Sequence, residues 1–403
     1  MKKVKMILPT YVDKFRCIGG ECEDNCCIGW NIDVDKETFK KYHKVKDKDM
    51  RKKFQKGVHN NPYCTNEKLD YGRIKLNKEK RCPFLDENNF CSVQGKYGED
   101  YLGSVCSQYP RVVNKIDDNY EMSIDMGCPE VARIILRSTD KIGFEETERD
   151  LGKYTMAGVL DTRDKEFNDT PIKYFKEIRD FSIKIIQSRN LNLSTRLYVL
   201  GDFISRLDDE ADINIDNLKN IIDEYDIEGA AEYFEKQDMN YVLQVSFLNN
   251  LLDILDIKND NDKIKKYSNQ LLNGFELTEN SNIAQKADAY ITAFENYINE
   301  CMEPNSHIFE NYMVNFIYNN LFPFSESDYM FDGYIMLLLR YSLMRFYLVG
   351  MDLNEQIRDT EDIIKFIQAF AKTIENNSDY RMNILEYIKE NGFDNMEFAK
   401  TLI

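Results

Sequence analysis

Proline is scarce in this sequence, and low-complexity tracts are absent. Only 8 of the 403 residues are proline, whereas 43% are hydrophobic and 12% are aromatic. This composition excludes a collagen-like or wholly disordered chain, because it provides enough apolar surface to form a core. A single hydrophobic core rarely grows beyond about 250–300 residues, so the length predicts two domains.

The chain also lacks an apolar segment of the kind that exports a protein or anchors it in a membrane. Pro9 and the charged residues from Asp13 onward interrupt the amino-terminal segment, which argues against a secretory signal. The most apolar window, Tyr334–Gly350, contains Arg340 and Arg345 and is too short to cross a bilayer. We therefore expect a cytoplasmic protein without membrane contact, in which this window forms a buried helix.

Basic residues are in the minority, since 53 Lys and Arg stand against 70 Asp and Glu and give a net charge of −17 at pH 7. This negative net charge argues against a nucleic-acid-binding surface that extends over the whole molecule. The first 60 residues differ, with 15 basic and 9 acidic residues. Their lysine-rich stretch Lys36–Lys56 would suit either an anionic partner or the solvated face of a helix, and we favour the solvated face.

Cysteine is concentrated at one end of the chain. The cysteines before residue 130 are Cys17, Cys22, Cys26, Cys27, Cys64, Cys82, Cys91, Cys106 and Cys128. Only Cys301 lies beyond them. Because a cytosol keeps thiols reduced, we interpret this density as metal or cluster ligation rather than as disulfides.

The sequence contains few histidines, and it contains no pair of cysteines separated by two intervening residues. The three histidines stand outside any tight pattern with cysteine, which disfavours zinc ribbons and an imidazole-based catalytic zinc. Three thiols fall between Cys22 and Cys27, where Gly19, Gly20 and Asn25 permit the turns needed to bring them together. All-thiolate ligation of iron and sulfide fits best, with zinc as the alternative. Cys64 is expected to be a small buried hydrophobe instead.

Four segments resemble the flagellin lysine N-methylase family, which is related to a broader class of cysteine-rich zinc- or iron-chelating proteins. They are Tyr11–Gly19, Cys22–Trp30, the Cys-Pro-Phe-Leu-Asp element at Cys82–Asp86, and the Cys-Ser-Gln-Tyr-Pro-Arg element at Cys106–Arg111. The resemblance in these motifs covers about residues 8 to 130. The remainder is similar only in length and helical character.

The resemblance implies methyl transfer from S-adenosylmethionine to lysine side chains of flagellin, with a metal centre in the cysteine-rich domain, a [4Fe–4S] cluster being the favoured kind. The cysteines that match the family pattern, and that we predict as metal ligands, are Cys17, Cys22, Cys26, Cys27, Cys82, Cys91, Cys106 and Cys128. A non-catalytic metal-chelating or redox module that binds a partner protein is the alternative. A monomer is compatible with the sequence, which leaves the oligomeric state open.

Tyr109 and Arg111 are the predicted catalytic and cofactor-binding residues. A lysine ammonium must lose a proton before it can accept a methyl group, and Tyr109 is a candidate base because its motif ties it to the cysteines. The guanidinium of Arg111 is suited to the carboxylate of the cofactor. The structural alternative is that Tyr109 packs beneath a hairpin and that Arg111 caps a carbonyl group.

Two familiar cofactor motifs are absent. A radical S-adenosylmethionine motif would continue from Cys22 and Cys26 with a cysteine at the position of Gly29. No Gly-x-Gly-x-x-Gly run is found, which disfavours a Rossmann-type methyltransferase. Binding of S-adenosylmethionine would therefore use an unusual scaffold.

The predicted fold is mainly α, with a small cysteine-rich α+β metal domain at residues 1–140 and a large all-helical domain at residues 141–403. Helical periodicity dominates from about residue 171. Short strands are predicted at Trp30–Val34, and a hairpin is predicted from Arg111–Ile116 and Tyr120–Asp125. One helix is predicted over Lys36–Lys56 and another over Glu130–Arg137.

Overall fold

The computed structural model describes residues 3–29, 32–234, 241–254, 262–277, 283–357, 359–375 and 378–403. The chain divides into two compact units. The first comprises Met1–Val131 and Gly143–Leu160, and the second comprises Ala132–Ile142 and Asp161–Ile403. The predicted single boundary between residues 140 and 141 is thus replaced by an interleaved one, because a strand at residues 144–150 belongs to the sheet of the first unit.

The strands that the structure describes all lie in the first unit. They are β1 (Lys3–Pro9), β2 (Asp33–Val34), β3 (Val58–Asn60), β4 (Gly72–Ile74), β5 (Arg111–Ile116), β6 (Asn119–Ile124), β7 (Phe144–Asp150) and β8 (Gly158–Leu160). One sheet has the order β7-β1-β6-β5-β8, and a smaller one has the order β2-β4-β3. Strand β1 is an interior strand of the larger sheet, since β7 pairs antiparallel along its full length and β6 pairs parallel on its other side. The first two residues of the predicted strand Trp30–Val34 lie outside the described residues.

The predicted hairpin is confirmed. Arg111 lies opposite Ile124 and Ile116 lies opposite Asn119, which leaves Asp117 and Asp118 as the loop. Asp117 has φ of 52°, a left-handed conformation that aspartate tolerates better than most residues. The hairpin holds Arg111 at the start of β5, two residues after Tyr109.

Five short α-helices lie in the described residues up to 136, four of them within the first unit and the fifth continuing from the first unit into the second at residues 131 and 132. They are α1 (Lys36–Lys44), α2 (Lys48–Gly57), α3 (Ser92–Tyr97), α4 (Ser104–Gln108) and α5 (Pro129–Leu136), with 3₁₀ turns at Val12–Lys14, Gly19–Glu21 and Glu99–Tyr101. The prediction of one helix over residues 36–56 was wrong. The side chain of Asp47 accepts hydrogen bonds from the amides of Asp49 and Met50, so the chain starts a second helix there.

Helices α1 and α2 cover an aromatic core in the first unit. The rings of Tyr42 and Phe54 stack with centroids 4.0 Å apart, and Phe84 lies 5.0 Å from Phe54. Lysines at positions 40, 44, 52, 53 and 56 are exposed on the opposite faces of the two helices. This pattern is typical of solvated amphipathic helices.

Every regular element in the described part of the second unit from residue 161 onward is helical. The α-helices there are α6 (Phe175–Ile186), α7 (Leu193–Ala211), α8 (Leu218–Glu224), α9 (Ile227–Glu232), α10 (Tyr241–Ile254), α11 (Asp262–Gly274), α12 (Ile283–Tyr297), α13 (Ser306–Asn319), α14 (Met330–Leu353), α15 (Thr360–Phe370), α16 (Ser378–Glu390) and α17 (Met396–Leu402). Further 3₁₀ turns occur at Lys165–Phe167, Pro171–Tyr174 and Ile215–Asn217, and π-helical segments at Ile298–Met302 and Ala371–Glu375. The prediction of a mainly helical chain is confirmed.

Helix α14 forms the centre of the second unit. It is long and apolar enough to cross a membrane, but its apolar window is entirely buried within the protein, as predicted for its segment Tyr334–Gly350. Gly350 and Gly274 allow α14 and α11 to approach closely, because a Cβ atom on Gly274 would lie 1.8 Å from the carbonyl oxygen of Gly350. Arg340 is neutralised inside this core by Glu326 at 2.7 Å.

A second buried ion cluster holds helices α7 and α13 together. The carboxylate of Glu310 accepts from Arg196 at 2.7 Å and from Arg189 at 2.8 Å. Arg189 also donates to the carbonyl oxygen of Thr139. The cluster therefore connects the segment 132–142 to the helices of its own unit.

Candidate metal centre

Two adjoining cavities in the first unit bring the eight predicted ligands together. The first, of about 380 Å³, is lined by Cys17, Cys26, Cys27, Cys82, Cys91 and Cys106. The second, also of about 380 Å³, is lined by Cys17, Cys22, Cys26, Cys27, Cys91 and Cys128. We refer to these two cavities together as the thiol pocket. Cys64 and Cys301 are not part of it.

The loop from Cys22 to Cys27 is positioned by a glycine turn and an asparagine. Gly19 has φ of 59°, and a Cβ atom on Gly20 would lie 2.5 Å from the carbonyl oxygen of Asn88. The Asn25 side chain accepts from the amide of Cys27 at 2.9 Å and donates to the carbonyl oxygen of Asn89 at 3.1 Å. These contacts fix the loop against the turn that precedes Cys91.

The remaining cysteines are held by backbone contacts at the ends of short elements. The amide of Cys82 donates to the carbonyl oxygen of Cys27 at 2.9 Å. Cys91 precedes α3, and its backbone forms an isolated bridge with Leu85. Cys106 lies within α4, and Cys128 immediately precedes Pro129 at the start of α5. Residues far apart in sequence therefore reach the same pocket.

Seven of the eight cysteines of the pocket are partly or fully removed from water, whereas Cys17 is exposed. Burial raises the pKa of Cys82 to about 11 and that of Cys128 to about 12, and it also raises the pKa of Cys106. The pKa of Cys27 is also raised, chiefly by a hydrogen bond with the Cys26 thiol and secondarily by burial. The protein alone thus keeps these groups as neutral thiols, and a bound metal cation would supply the positive charge that stabilises thiolates.

The metal-ligating donors that line the pocket are mainly thiols. Among the described residues, no group of three His, Cys, Asp or Glu side chains is arranged to hold one metal ion. The thiols instead line the walls of cavities, an arrangement that leaves room for a group with volume of its own. Thiolates are the usual ligands of iron–sulfur clusters, whereas a zinc ion needs four donors around one point.

Cys64 is not the buried hydrophobe that its isolation suggested. Its thiol is half-buried and donates to the carboxylate of Asp70 at 3.3 Å. Asp70 also accepts from the amides of Thr65 and Asn66, and these bonds hold its pKa below the usual range. The thiol therefore belongs to a carboxylate-centred loop, because it can act as a weak hydrogen-bond donor.

Tyr109 lines both cavities of the thiol pocket. Burial raises its pKa well above the ordinary value, and the nearby Asp125 and Cys128 act in the same direction. The phenol therefore retains its proton at neutral pH, which disfavours the predicted role as a tyrosinate base. Its hydroxyl is suited to orienting a ligand by hydrogen bonding.

Arg111 lines the first cavity and also a polar groove beside it. Its guanidinium lies 5.4 Å from the centroid of the Phe15 ring. Within the described part of the chain, the side chain of Arg111 stacks on this ring, and no carboxylate pairs with it. Arg111 therefore does not cap a carbonyl group there, and its donors remain available to an anionic ligand.

The lining residues that were not predicted from the sequence include an aromatic residue, a glutamine and two charged residues. Phe15 and Gln94 line both cavities, whereas Arg16 and Glu99 line the first. Phe15 and Arg16 directly precede Cys17, so their place in the motif was a usable signal. Gln94 and Glu99 follow Cys91 in a polar stretch without distinctive spacing, and only the fold brings them to the pocket.

The sequence is similar to a family of known proteins. Residues 179–402 match the family model described as the FliB lysine N-methylase C-terminal domain. A lysine-N-methylase of Salmonella typhimurium strain LT2 is 23% identical over 409 residues, covering 96% of each chain. A flagellar biosynthetic protein FliU of Salmonella muenchen is 35% identical over 151 residues, covering 36% of this chain and 85% of that protein. No solved structure matches.

The chain belongs to the FliB lysine N-methylase family, because the matched domain covers more than half of it. The predicted resemblance is thereby confirmed. It extends further than the motifs suggested, since the helical residues 179–402 carry the family match and not only a similar length. Low identity with the lysine-N-methylases explains why the helical part gave no motif that is visible by eye.

Proposed function

We propose that this protein transfers methyl groups from S-adenosylmethionine to lysine side chains of flagellin in the cytoplasm. We further propose that its first unit holds a cysteine-ligated [4Fe–4S] centre. Family membership and the flagellar name of one relative support the substrate. One structural observation carries the proposal: the eight family-pattern cysteines, Tyr109 and Arg111 line the same pair of cavities.

The eight cysteines of the thiol pocket are the candidate ligands for the proposed centre, which uses four thiolates. When bound, an iron–sulfur group links the loops that carry its thiolates, as structural metals do in other small domains. The pocket lies among loops and short helices, where such a cross-link has a large effect on order.

Arg111 is assigned to the carboxylate of the methionine part of S-adenosylmethionine. A guanidinium can donate two parallel hydrogen bonds to a carboxylate, and that of Arg111 has no carboxylate partner among the described residues. Phe15 lies beside it and lines both cavities. An aromatic face there attracts the positively charged sulfonium.

Methyl transfer requires a neutral lysine amine. The ammonium first loses a proton, and Glu99 is the carboxylate that lines the first cavity and can accept it. The nitrogen lone pair then forms a bond to the methyl carbon as the bond from that carbon to sulfur breaks. The electron pair remains on sulfur, so the products are methyllysine and S-adenosylhomocysteine. Tyr109 is placed as a hydrogen-bonding residue that orients the amine.

The decisive experiment incubates the anaerobically purified protein with flagellin and S-adenosylmethionine and measures lysine mass shifts of one methyl group. We expect methylation with the wild type and with Cys64→Ala, whose thiol lies outside the pocket. Tyr109→Phe should lower the turnover while leaving the iron content unchanged. Absence of any mass shift from a protein with intact iron and bound cofactor would contradict the enzyme and support a non-catalytic metal-binding or redox module.

Arg111→Ala should weaken S-adenosylmethionine binding by about 10- to 100-fold. A hydrogen bond to a charged group contributes about 1.5–3 kcal/mol, and each 1.4 kcal/mol corresponds to about tenfold in affinity. Calorimetric titration of the cofactor measures this directly. Arg163→Ala is the matched control, because Arg163 pairs with Asp161 in the second unit and should not change the affinity. Equal affinity in both variants would exclude Arg111 as the carboxylate ligand.

A further inference from the structure

A polar groove adjoins the first cavity of the thiol pocket, and no step of the proposed function uses it. The groove has a volume of about 560 Å³ and shares Phe15, Arg16 and Arg111 with that cavity. It is lined by residues 147–150 of β7, by Met122 of β6 and by Arg111 of β5. Because the strand order is β7-β1-β6-β5, the groove extends across the sheet from its edge strand to Arg111. This shape suits an elongated ligand.

Most charged side chains of the groove already have partners within the protein. Arg149 forms an ion pair with Asp13 at 2.5 Å. The carboxylate of Asp150 accepts from the amide of Gly152 at 3.0 Å. The guanidinium of Arg16 donates to the carbonyl oxygen of Asp13 at 2.9 Å. These contacts shape the groove, and the groups that make them are partly used before any ligand binds.

Glu148 and Arg111 differ from these residues. Within the described ranges of the chain, the carboxylate of Glu148 has no ion pair or hydrogen bond, and the guanidinium of Arg111 stacks on Phe15 without a carboxylate partner. Glu148 is also exposed, so its oxygen atoms can accept from a ligand. The groove therefore offers donors for an anion at β5 and an acceptor for hydroxyl or amino groups at β7.

The groove has an apolar lining in addition to these charged groups. Val12, Phe15 and Met122 line it and are at most 6% exposed. The half-buried side chain of Tyr154 lines it as well. Apolar and aromatic surfaces of this kind suit a planar base, which gains binding energy by stacking. The lining residues thus match a ligand that combines a carboxylate, hydroxyl groups and an aromatic base.

We propose that the groove binds the adenosine part of S-adenosylmethionine, with Glu148 accepting hydrogen bonds from the ribose hydroxyl groups. This inference rests on the proposed function, in which Arg111 binds the cofactor carboxylate and Phe15 attracts the sulfonium. Phe15 lines the groove and both cavities, so a sulfonium beside it lies where the groove and the thiol pocket meet. An acidic residue binds a ribose hydroxyl in the same way in dinucleotide-binding folds.

The test measures binding of two ligands to the anaerobically purified full-length protein by calorimetric titration. The ligands are S-adenosylhomocysteine and its analogue that lacks both ribose hydroxyl groups. Glu148→Ala should weaken S-adenosylhomocysteine binding by about 10- to 100-fold, as expected for lost hydrogen bonds to a charged group. The analogue should bind the wild type and Glu148→Ala with equal affinity, because neither complex contains the interaction. Glu145→Ala is the matched control, since Glu145 is exposed on the same strand and does not line the groove.

Unchanged affinity for S-adenosylhomocysteine in Glu148→Ala would overturn the inference, as would an equal loss in Glu145→Ala or an equal loss for the analogue. Normal cofactor affinity together with a raised KM for flagellin in Glu148→Ala would also overturn it, and would assign the groove to the protein substrate. All of these results leave the proposed function intact. A wild type that does not bind S-adenosylhomocysteine would instead overturn the cofactor dependence in the proposed function itself.

Discussion

The two units are stabilised in different ways. Helix α14 of the second unit is buried along its whole apolar window, and its two arginines pair with a carboxylate and with backbone oxygens. The first unit has an aromatic core around Phe54, but beside it thiols line cavities of about 380 Å³. One unit is therefore completed by its own side chains, whereas the other leaves space that a bound group can fill.

The largest expected effect is that removing iron destabilises the first unit while the second unit remains folded. Structural metal sites contribute on the order of 10 kcal/mol to the folding of small domains. We expect a chelator to make residues 17–128 sensitive to protease while the helical circular dichroism of residues 161–403 persists. Mass spectrometry of the fragments identifies the cleavage sites. An unchanged cleavage pattern in the iron-free protein would show that the first unit does not depend on a metal.

Glu310→Ala should give the next largest effect, confined to the second unit. It leaves the buried guanidinium of Arg196, whose side chain is 3% exposed, without its carboxylate partner. Breaking such a pair lowers the free energy of unfolding by about 3–5 kcal/mol, which urea denaturation would measure. Asp216→Ala is the control, because it removes an exposed carboxylate paired with Lys173 and should have no measurable effect. Equal stability of the two variants would contradict the proposal that the ion cluster around Glu310 stabilises the second unit.

The carboxyl group of Asp208 should make the stability of the second unit depend on pH. Burial raises its pKa to about 6, although it accepts from the amides of Met330 and Phe331. A raised pKa in the folded state favours the protonated form, so the stabilisation is present below about pH 4 and is lost as the pH rises through about 6.

Titration of Asp208 should lower the free energy of unfolding of the wild type by about 2 kcal/mol between pH 4 and pH 7, and Asp208→Asn should abolish this decrease. Denaturation curves at several pH values measure this difference. Asp209→Asn, at the exposed neighbouring position, should keep the wild-type pH profile. A profile that is the same in Asp208→Asn and the wild type would contradict the assignment.

The smallest effect is expected from the exposed lysines of the first unit. Replacing Lys52 and Lys53 with alanine should change the free energy of unfolding by less than about 0.5 kcal/mol and leave flagellin binding unchanged. Phe54→Ala, on the buried face of the same helix, should cost about 3–5 kcal/mol. Reduced flagellin affinity in the lysine variant would favour the anionic binding strip over the solvated face.

Local signals in the sequence were sufficient for the hairpin and for the buried helix. The hairpin depends on two short strands joined by aspartates, and α14 depends on a long, mostly apolar run that contains Arg340 and Arg345. The division between α1 and α2 was missed because the capping role of Asp47 competes with a lysine-rich helical pattern. Such caps depend on a side-chain conformation that composition does not reveal.

Contacts distant in sequence were not predictable from the pattern. The return of β7 to β1 joins strands about 140 residues apart, and nothing in the acidic sequence of β7 identifies its partner. The cysteine spacing indicated a shared metal domain, yet it could not show which thiols pack against the core. Which side of a loop a side chain occupies is decided by packing, as the neighbours Cys26 and Cys27 illustrate.

The pairing of β1 with β7 also determines when the first unit can close during synthesis. Strand β1 ends at Pro9, but β7 is complete only at Asp150, after all eight thiols of the pocket have been translated. At about 5–20 residues per second, the chain carries these thiols for on the order of ten seconds before its sheet can form. A newly made chain therefore contains all eight thiols of the pocket before the strand that pairs with β1 is complete.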